Sequence, residues 1–381
     1  MTVASRPHPQ AIEFFPSDLF EEDRAVMLET IRRIGLAPEQ RFILGAHTRH
    51  FEELLRESLG AADVVACASG TSGLDLILTA MDVGPGDEVV VPAFGCAPLA
   101  ASVVRVGATP VFADIHPHTM VADPDEVERR ITGRTRAIMP AHMFSVMADM
   151  PRFVALAQRH HVRLIEDSAV AQGAVLNGTP AGLWGEAGVY SFVQVKAGGM
   201  PGEGGVVVTR DADIGQRVRM LRNHGQDGTR RFVHHLVGSN SRFDEIQAAF
   251  QVHRMAGLAG RLERRAAIAR YYTDRFSALA EHGLVPPPPG SDGRCYYVYT
   301  LLAQHRDALR AHLTRQGIAC HVYYPQPLPH QAAFTPFSRP GDQWPHAERA
   351  SARILSLPVH PQLSDAQVER IADAVCAFAH Q

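Results

Sequence analysis

Tyr190-Ser-Phe-Val-Gln-Val-Lys196 runs straight into Ala197-Gly-Gly-Met-Pro-Gly-Glu-Gly-Gly205 and then the strand-like Val206-Val-Val-Thr209. A lysine between an apolar run and a glycine-dense segment is an amine placed to reach, and leave, a carbonyl. That chemistry needs the neutral amine, so the lysine must be desolvated or set beside another cation. Upstream, Leu164-Ile-Glu-Asp167 reads as a buried strand ending in carboxylates. Ala68-Ser-Gly-Thr-Ser72 reads as a loop opening a helix whose free N–H groups hold a phosphate. An ionised carboxylate such as Asp167 keeps a pyridine nitrogen protonated by direct ion pairing. Lysine, carboxylate and phosphate cradle together describe a pyridoxal 5′-phosphate site.

Further out, strand-like runs alternate with helical patterns. Glu88–Pro92, Pro110–Ala113, Arg136–Met139 and the Leu164 run are separated by helical stretches at Ala97–Val106, Pro124–Ile131 and Met150–His160. This rhythm predicts an α/β fold with a mostly parallel central sheet covered by helices. Ligands in such sheets bind where strands end, and both Asp167 and Lys196 follow strand-like stretches.

A helical pattern from Arg242 to about His282 stops near Gly283, and Pro286–Pro289 blocks its continuation. Strand Tyr296–Leu302, helix Arg306–Gln316 and strand Ile318–Tyr323 then predict a smaller unit. Residues 1–250 are expected to form a large cofactor-binding domain with an N-terminal arm. Residues 251–381 are expected to form a small α+β domain that begins with a long linking helix. Ser364 and Gln367 fit a capping box before the apolar stripe Val368, Ile371, Ala372, Val375 and Phe378.

Composition sets bounds. A chain of 381 residues that is 46% hydrophobic buries a large core, and a formal net charge of -3 gives no basic surplus for nucleic acid. The five cysteines, Cys67, Cys96, Cys295, Cys320 and Cys376, show neither metal-ligand spacing nor an even count for a disulfide framework. Metal is not expected, and a reduced cytoplasm is the expected location. No signal-peptide core and no run of about 18 apolar residues occurs, so no membrane association is expected. The 20 histidines are too many to be a signal by themselves.

Five blocks taken together resemble the DegT/StrS group of sugar and cyclitol aminotransferases, within the aspartate aminotransferase fold. They are Ala68–Ser72, Val91–Phe94, Leu164–Asp167, Ser191–Lys196 with Gly202–Gly205, and Gly238–Arg242 with Ile246–Ala249. The resemblance runs from Phe42 to the last helix. It implies that Lys196 forms the covalent bond to the cofactor and then moves the proton once the amino donor displaces it. It places Gly70, Thr71, Ser72 and Ser191 on the cofactor phosphate, and Asn240 on the phosphate of a neighbouring subunit. A homodimer with shared active sites follows.

His142 and His224 match blocks beside the substrate pocket, and Glu203 is assigned a structural or substrate-contact role. Two positions depart from the pattern. Cys96 stands where a ring commonly stacks on the cofactor, and Val170 stands where Gln or His is usual, a contact that either passes to Gln172 or is absent. The resemblance implies glutamate as donor and a keto sugar as acceptor, most commonly a nucleotide-linked 4-keto-6-deoxy sugar. Two alternatives remain: a keto cyclitol of the inosose type, and a catalytically inactive cofactor-binding partner or regulator. Related dehydratases replace the lysine with histidine, and Lys196 speaks against that class.

Overall fold

The computed structural model describes residues 11–39 and 41–380. Its main sheet begins with strands β1 Asp63–Cys67, β2 Glu88–Pro92, β3 Thr109–Ala113, β4 Thr135–Ile138 and β5 Arg163–Asp167. After a short hairpin, β6 Val175–Leu176 and β7 Thr179–Pro180, come β8 Ala187–Ser191 and β9 Gly205–Thr209. The seven strands lie in the order β1-β9-β8-β5-β4-β2-β3. Neighbours from β8 to β3 pair in parallel, whereas β9 is antiparallel to both β1 and β8. Six strands therefore share one direction, as the alternating pattern predicts.

Both faces of the sheet are covered, and the pleat shows why continuous apolar runs were needed. Val65, Val89, Val91, Ile165, Val189 and Val207 enter a core beneath helices Gly70–Ala80 and Pro98–Arg105. Their neighbours turn the other way: Val90, Ile138 and Leu164 pack against Phe153 and Leu156 of helix Met150–His160, and Val64, Val206 and Val208 against Phe51 and Phe243.

The smaller unit is an antiparallel sheet of β10 Leu284–Val285, β11 Tyr299–Ala303 and β12 Ile354–Leu357. Tyr272, Tyr299, Leu309, Ile371 and Val375 fill its core. The Ser364/Gln367 capping box forms as expected.

Two predicted elements differ. The single helix expected over 242–282 is two helices, Glu245–Ala256 and Leu258–Phe276, which meet at Gly257 and run on into a 3-10 turn, Ser277–His282. Glycine is a poor helix former, and here it turns the chain between two packing surfaces. The strand expected over 318–323 reduces to isolated bridges, Ile12 with Ile318 and His321 with Ser356, because the two ends pair with different neighbours.

The expected boundary at 250 falls inside the first of these helices, and packing crosses it in both directions. Ile12 joins the C-terminal core, while Leu328, Phe334 and Trp344 join the large-domain core. Leu328 N–H donates to the carbonyl of Ala93 at 2.7 Å. That contact holds the C-terminal half against the sheet edge where the site lies.

Candidate active site

The polar residues of interest gather where the parallel strands end. β1 leads into Ser69, β2 into Phe94 and Cys96, β5 ends on Asp167, and β8 ends on Ser191. β9 runs the other way, so it starts at this edge, with Gly205 paired to both Cys67 and Ser191. A side chain at Gly205 has no room, since its Cβ would stand 2.5 Å from the amide nitrogen of Gly70. The helix start is thereby seated directly on the strand.

Ser69 caps that helix. Its Oγ accepts from Ser72 N–H while Ser72 Oγ accepts from Ser69 N–H, both at 3.0 Å. The first-turn amides of Gly70 and Thr71 have no carbonyl within the helix to bond. Ser191 adjoins them, with its hydroxyl 3.5 Å from where a Gly70 Cβ would sit. Ser241 was missed from sequence: it is buried, and its hydroxyl lies 2.9 Å from Ser72 Oγ. Free N–H groups, hydroxyls and the positive end of a helix make this a cradle for a phosphate.

Asp167 is 4% exposed and has no ion-pair partner among the described residues. Its Oδ1 accepts from Ala169 N–H at 3.0 Å, and its Oδ2 lies 3.7 Å from Cys96 Sγ. Burial raises its pKa, opposed by the Ala169 hydrogen bond and by the charges of Lys196 and His142. A buried carboxylate with only a backbone amide and a weak thiol donor fits a cationic ring nitrogen. Phosphate cradle and unpaired carboxylate therefore both fit pyridoxal phosphate.

Lys196 lies in the turn after β8. Burial pulls its amine below the usual lysine range, against the opposing influence of Cys96, Asp167 and Glu203. Its Nζ stands 4.4 Å from the centre of the Tyr297 ring. It is also the only lysine in the chain: every other one of the 37 lysine and arginine residues is arginine. That count was legible in the sequence and marks the position more sharply than its spacing does.

The remaining expected residues take varied positions. Gln172 is buried with an unpartnered Oε1, and it packs so close to Gly198 that a Cβ there would stand 2.0 Å from that oxygen. It thus supports the loop after Lys196. Cys96 lies at the crevice, where burial and the Asp167 charge push its thiol pKa up. Glu203 is exposed, yet near enough for its charge to act on Lys196.

His142 faces away from the crevice: Nε2 lies 2.9 Å from Glu166 Oε2 and Nδ1 accepts from Ala148 N–H at 3.2 Å. Glu166 also accepts from the amides of Gly182, Trp184 and Gly185. With both ring nitrogens engaged, His142 braces the loop beside Asp167 instead of offering a substrate contact. His224 is exposed on the segment that leads to Asn240, and its carbonyl accepts from His234 Nδ1. Asn240 is exposed too, bridged to Asn223.

Sequence reading also missed an aromatic wall. Tyr297 lies 6.4 Å from Tyr323, which lies 5.5 Å from Tyr324, and Tyr324 meets Phe94 edge-on at 6.4 Å. Val170, where the resemblance implies Gln or His, packs against the Phe14–Tyr297–Val298 cluster and so joins an apolar surface.

Fold and site define a pyridoxal-phosphate-dependent enzyme, with the Lys196 amine near Cys96, Asp167 and the Tyr297 ring at the strand ends. Residues 27–376 match the DegT/DnrJ/EryC1/StrS aminotransferase family. The chain belongs to that family, and it is a pyridoxal-phosphate-dependent aminotransferase. It is 38% identical, over 95% of its length and 97% of the relative, to a pleiotropic regulatory protein of Geobacillus stearothermophilus. It is also 38% identical to the UDP-N-acetyl-3-dehydro-alpha-D-glucosamine 3-aminotransferase of Acidithiobacillus ferrooxidans, over 92% of this chain and 94% of that one. The crystal structure of DesV from S. venezuelae with a ketimine intermediate superposes with a TM-score of 0.92 at 34% identity, covering 99% of this chain and 100% of the other.

Among the described residues there is no cluster of three or more potential metal ligands, and no helix is long and apolar enough to cross a membrane. All five cysteines are free.

Proposed function

We propose that the protein transfers an amino group from glutamate to a nucleotide-linked keto sugar. The observation that carries this reading is the convergence of Lys196, Asp167, Ser191 and the Gly70–Ser72 helix start at one strand edge. When bound, pyridoxal phosphate supplies the aldehyde that takes up the amino group and the ring that stores the electrons released. The chain does the rest.

Gly70, Thr71, Ser72 and Ser191 anchor the phosphate, and Asp167 keeps the ring nitrogen charged. Lys196 holds the cofactor and, once displaced, carries the proton at Nζ. Gln172 supports the loop that carries the lysine, and Cys96 packs beside Asp167. Glu203 lies at the mouth, near enough to help hold a polar substrate.

The sequence reading favours a 4-keto-6-deoxy sugar, while the name of the Acidithiobacillus relative places its carbonyl at C3 of a UDP-linked sugar. Both are nucleotide-linked keto sugars, and a panel tests the carbonyl position. Purified protein with nitrogen-labelled glutamate is offered 3-keto and 4-keto nucleotide sugars and keto cyclitols. A labelled amino sugar nucleotide supports the proposal, and label in cyclitols alone overturns it.

A homodimer with shared sites is part of this reading. Asn240 is exposed and lies just beyond Phe232 and Val237, which are 72% and 97% exposed in the single chain. Large apolar side chains so exposed suit a surface covered by a second copy.

A second reading has one observation in its favour: the Geobacillus relative is named as a regulatory protein. In that reading the cofactor binds without turnover. Visible absorbance separates the two, since glutamate converts the cofactor to its amine form only if Lys196 acts as proposed.

A further inference from the structure

The geometry points to Tyr297 as a positioning residue for Lys196: its ring face is the seat on which the ammonium rests whenever the amine is not bonded to the cofactor. The inference rests on Lys196 being the reactive amine, but its test does not depend on that assignment.

Nζ lies 4.4 Å from the ring centre, within the range where a cation is drawn to the negative face of an aromatic ring. The attraction is strong only where water is scarce, and Tyr297 is 7% exposed. The seat is rigid. Tyr297 packs with Phe14, Val298, Val170 and Tyr323, and its N–H donates to the carbonyl of Cys295 at 3.0 Å. The Arg265 guanidinium donates to the carbonyls of Tyr296, Tyr297 and Val359 at 3.2–3.3 Å. Arg265 is 4% exposed and has no carboxylate partner among the described residues, so its charge serves the backbone that carries the ring.

The groups facing Lys196 are few: Cys96 after β2, Asp167 at the end of β5, Glu203 in the glycine loop, and the ring itself. Asp167 is committed to the ring nitrogen once cofactor binds, and Glu203 is exposed to solvent. The buried Tyr297 face is then what remains, among the described residues, to hold the charged amine between the two halves of the reaction. Without it, the ammonium is less stable and the amine becomes neutral more readily.

Because Lys196 is the only lysine, ε-amine labelling of the cofactor-free full-length chain reads this one group. Trinitrobenzenesulfonate is the probe, with the N-terminal amine separated by peptide mass. At a fixed pH below the labelling midpoint, Tyr297→Leu should label about 2- to 30-fold faster than wild type, the range a cation–π contact spans. Tyr297→Phe keeps the ring and should match wild type. Equal rates in all three proteins would overturn the proposal. If Tyr297→Leu fails to fold, pentafluorophenylalanine at 297 preserves shape but reverses the ring's charge distribution. It should also label faster, and an unchanged rate again overturns the idea. Loss of covalent cofactor attachment is read separately by borohydride reduction, so failure of the lysine assignment and failure of the seat are distinguishable.

Discussion

The thiol of Cys96 lies 3.7 Å from Oδ2 of Asp167 and is the only side-chain donor that reaches this carboxylate among the described residues. The contact is a weak hydrogen bond from a thiol to a buried carboxylate. A net hydrogen bond contributes about 0.5–1.5 kcal/mol. Cys96→Ala should therefore raise the cofactor dissociation constant by roughly 2- to 12-fold, as read by fluorescence titration. A Cys96→Ser hydroxyl should recover most of the loss. An unchanged constant in both variants would show that the contact has no role in binding.

Removing the charge at Asp167 should do far more. Deleting one partner of a buried ion pair costs about 3–5 kcal/mol, so Asp167→Asn should lower the transamination rate on the order of a hundredfold or more. Single-turnover reaction with glutamate, followed by visible absorbance, checks this. Within tenfold of the wild-type rate, the carboxylate would not be the partner of the ring nitrogen.

Lys196→Ala is expected to fold yet yield no borohydride-reducible bond to the cofactor. The chain offers no second ε-amine, so intact-mass spectrometry should show one adduct in wild type and none in the variant. An adduct persisting in Lys196→Ala would have to sit on the N-terminal amine, and the assignment would then be wrong.

These residues were legible in sequence because each stands at a boundary that burial marks. β8 reaches Ser191 after the buried Ala187, Val189 and Tyr190, and β5 carries the buried Leu164 and Ile165 before its two carboxylates, so the polar residues mark where each apolar run stops. Tyr297 and Ser241 carried no such mark. Tyr297 read as part of a strand, whereas β11 begins only at Tyr299, and its place under Lys196 depends on how the C-terminal half docks on the sheet. Ser241 reaches Ser72 through pairing far apart in sequence. His142 shows the converse. Its block marked the neighbourhood, but the ring's direction is set by Glu166 and Ala148, which spacing alone does not reveal.

Glu245 gives a pH test of stability away from the chemistry. Its carboxylate accepts from the amides of Gly45, His47 and Thr48 at 2.7–2.9 Å, and from the Thr48 hydroxyl, closing the start of helix Ala46–Leu59. Burial alone would raise its pKa, but these hydrogen bonds outweigh it and leave the value lowered. A lowered folded-state value means stability that is complete above the unfolded glutamate range, about pH 4.3, and lost as pH falls through the folded value. Glu245→Gln should cost about 1.5–3 kcal/mol near neutral pH. The gap in thermal midpoint from wild type should narrow in acid. A gap that is constant from neutral pH to pH 3 would mean that the charge is not what caps the helix.

Asn240 provides the test of a shared site. Its neighbour Ser241 bonds the cradle of its own chain, while Asn240 itself is exposed, a few residues after the exposed Phe232 and Val237. If it serves the partner's phosphate, Lys196→Ala and Asn240→Ala are each inactive or weak as pure dimers. Mixed dimers of the two, however, contain one site with both residues intact. Random exchange of equal amounts makes half the dimers mixed, so about a quarter of wild-type activity should return. If Asn240 instead serves its own chain, every mixed site lacks one of the two residues, and nothing returns on mixing. Native mass spectrometry with one variant isotopically labelled shows whether subunits have exchanged, so an absence of recovery in a mixed population counts directly against the shared site.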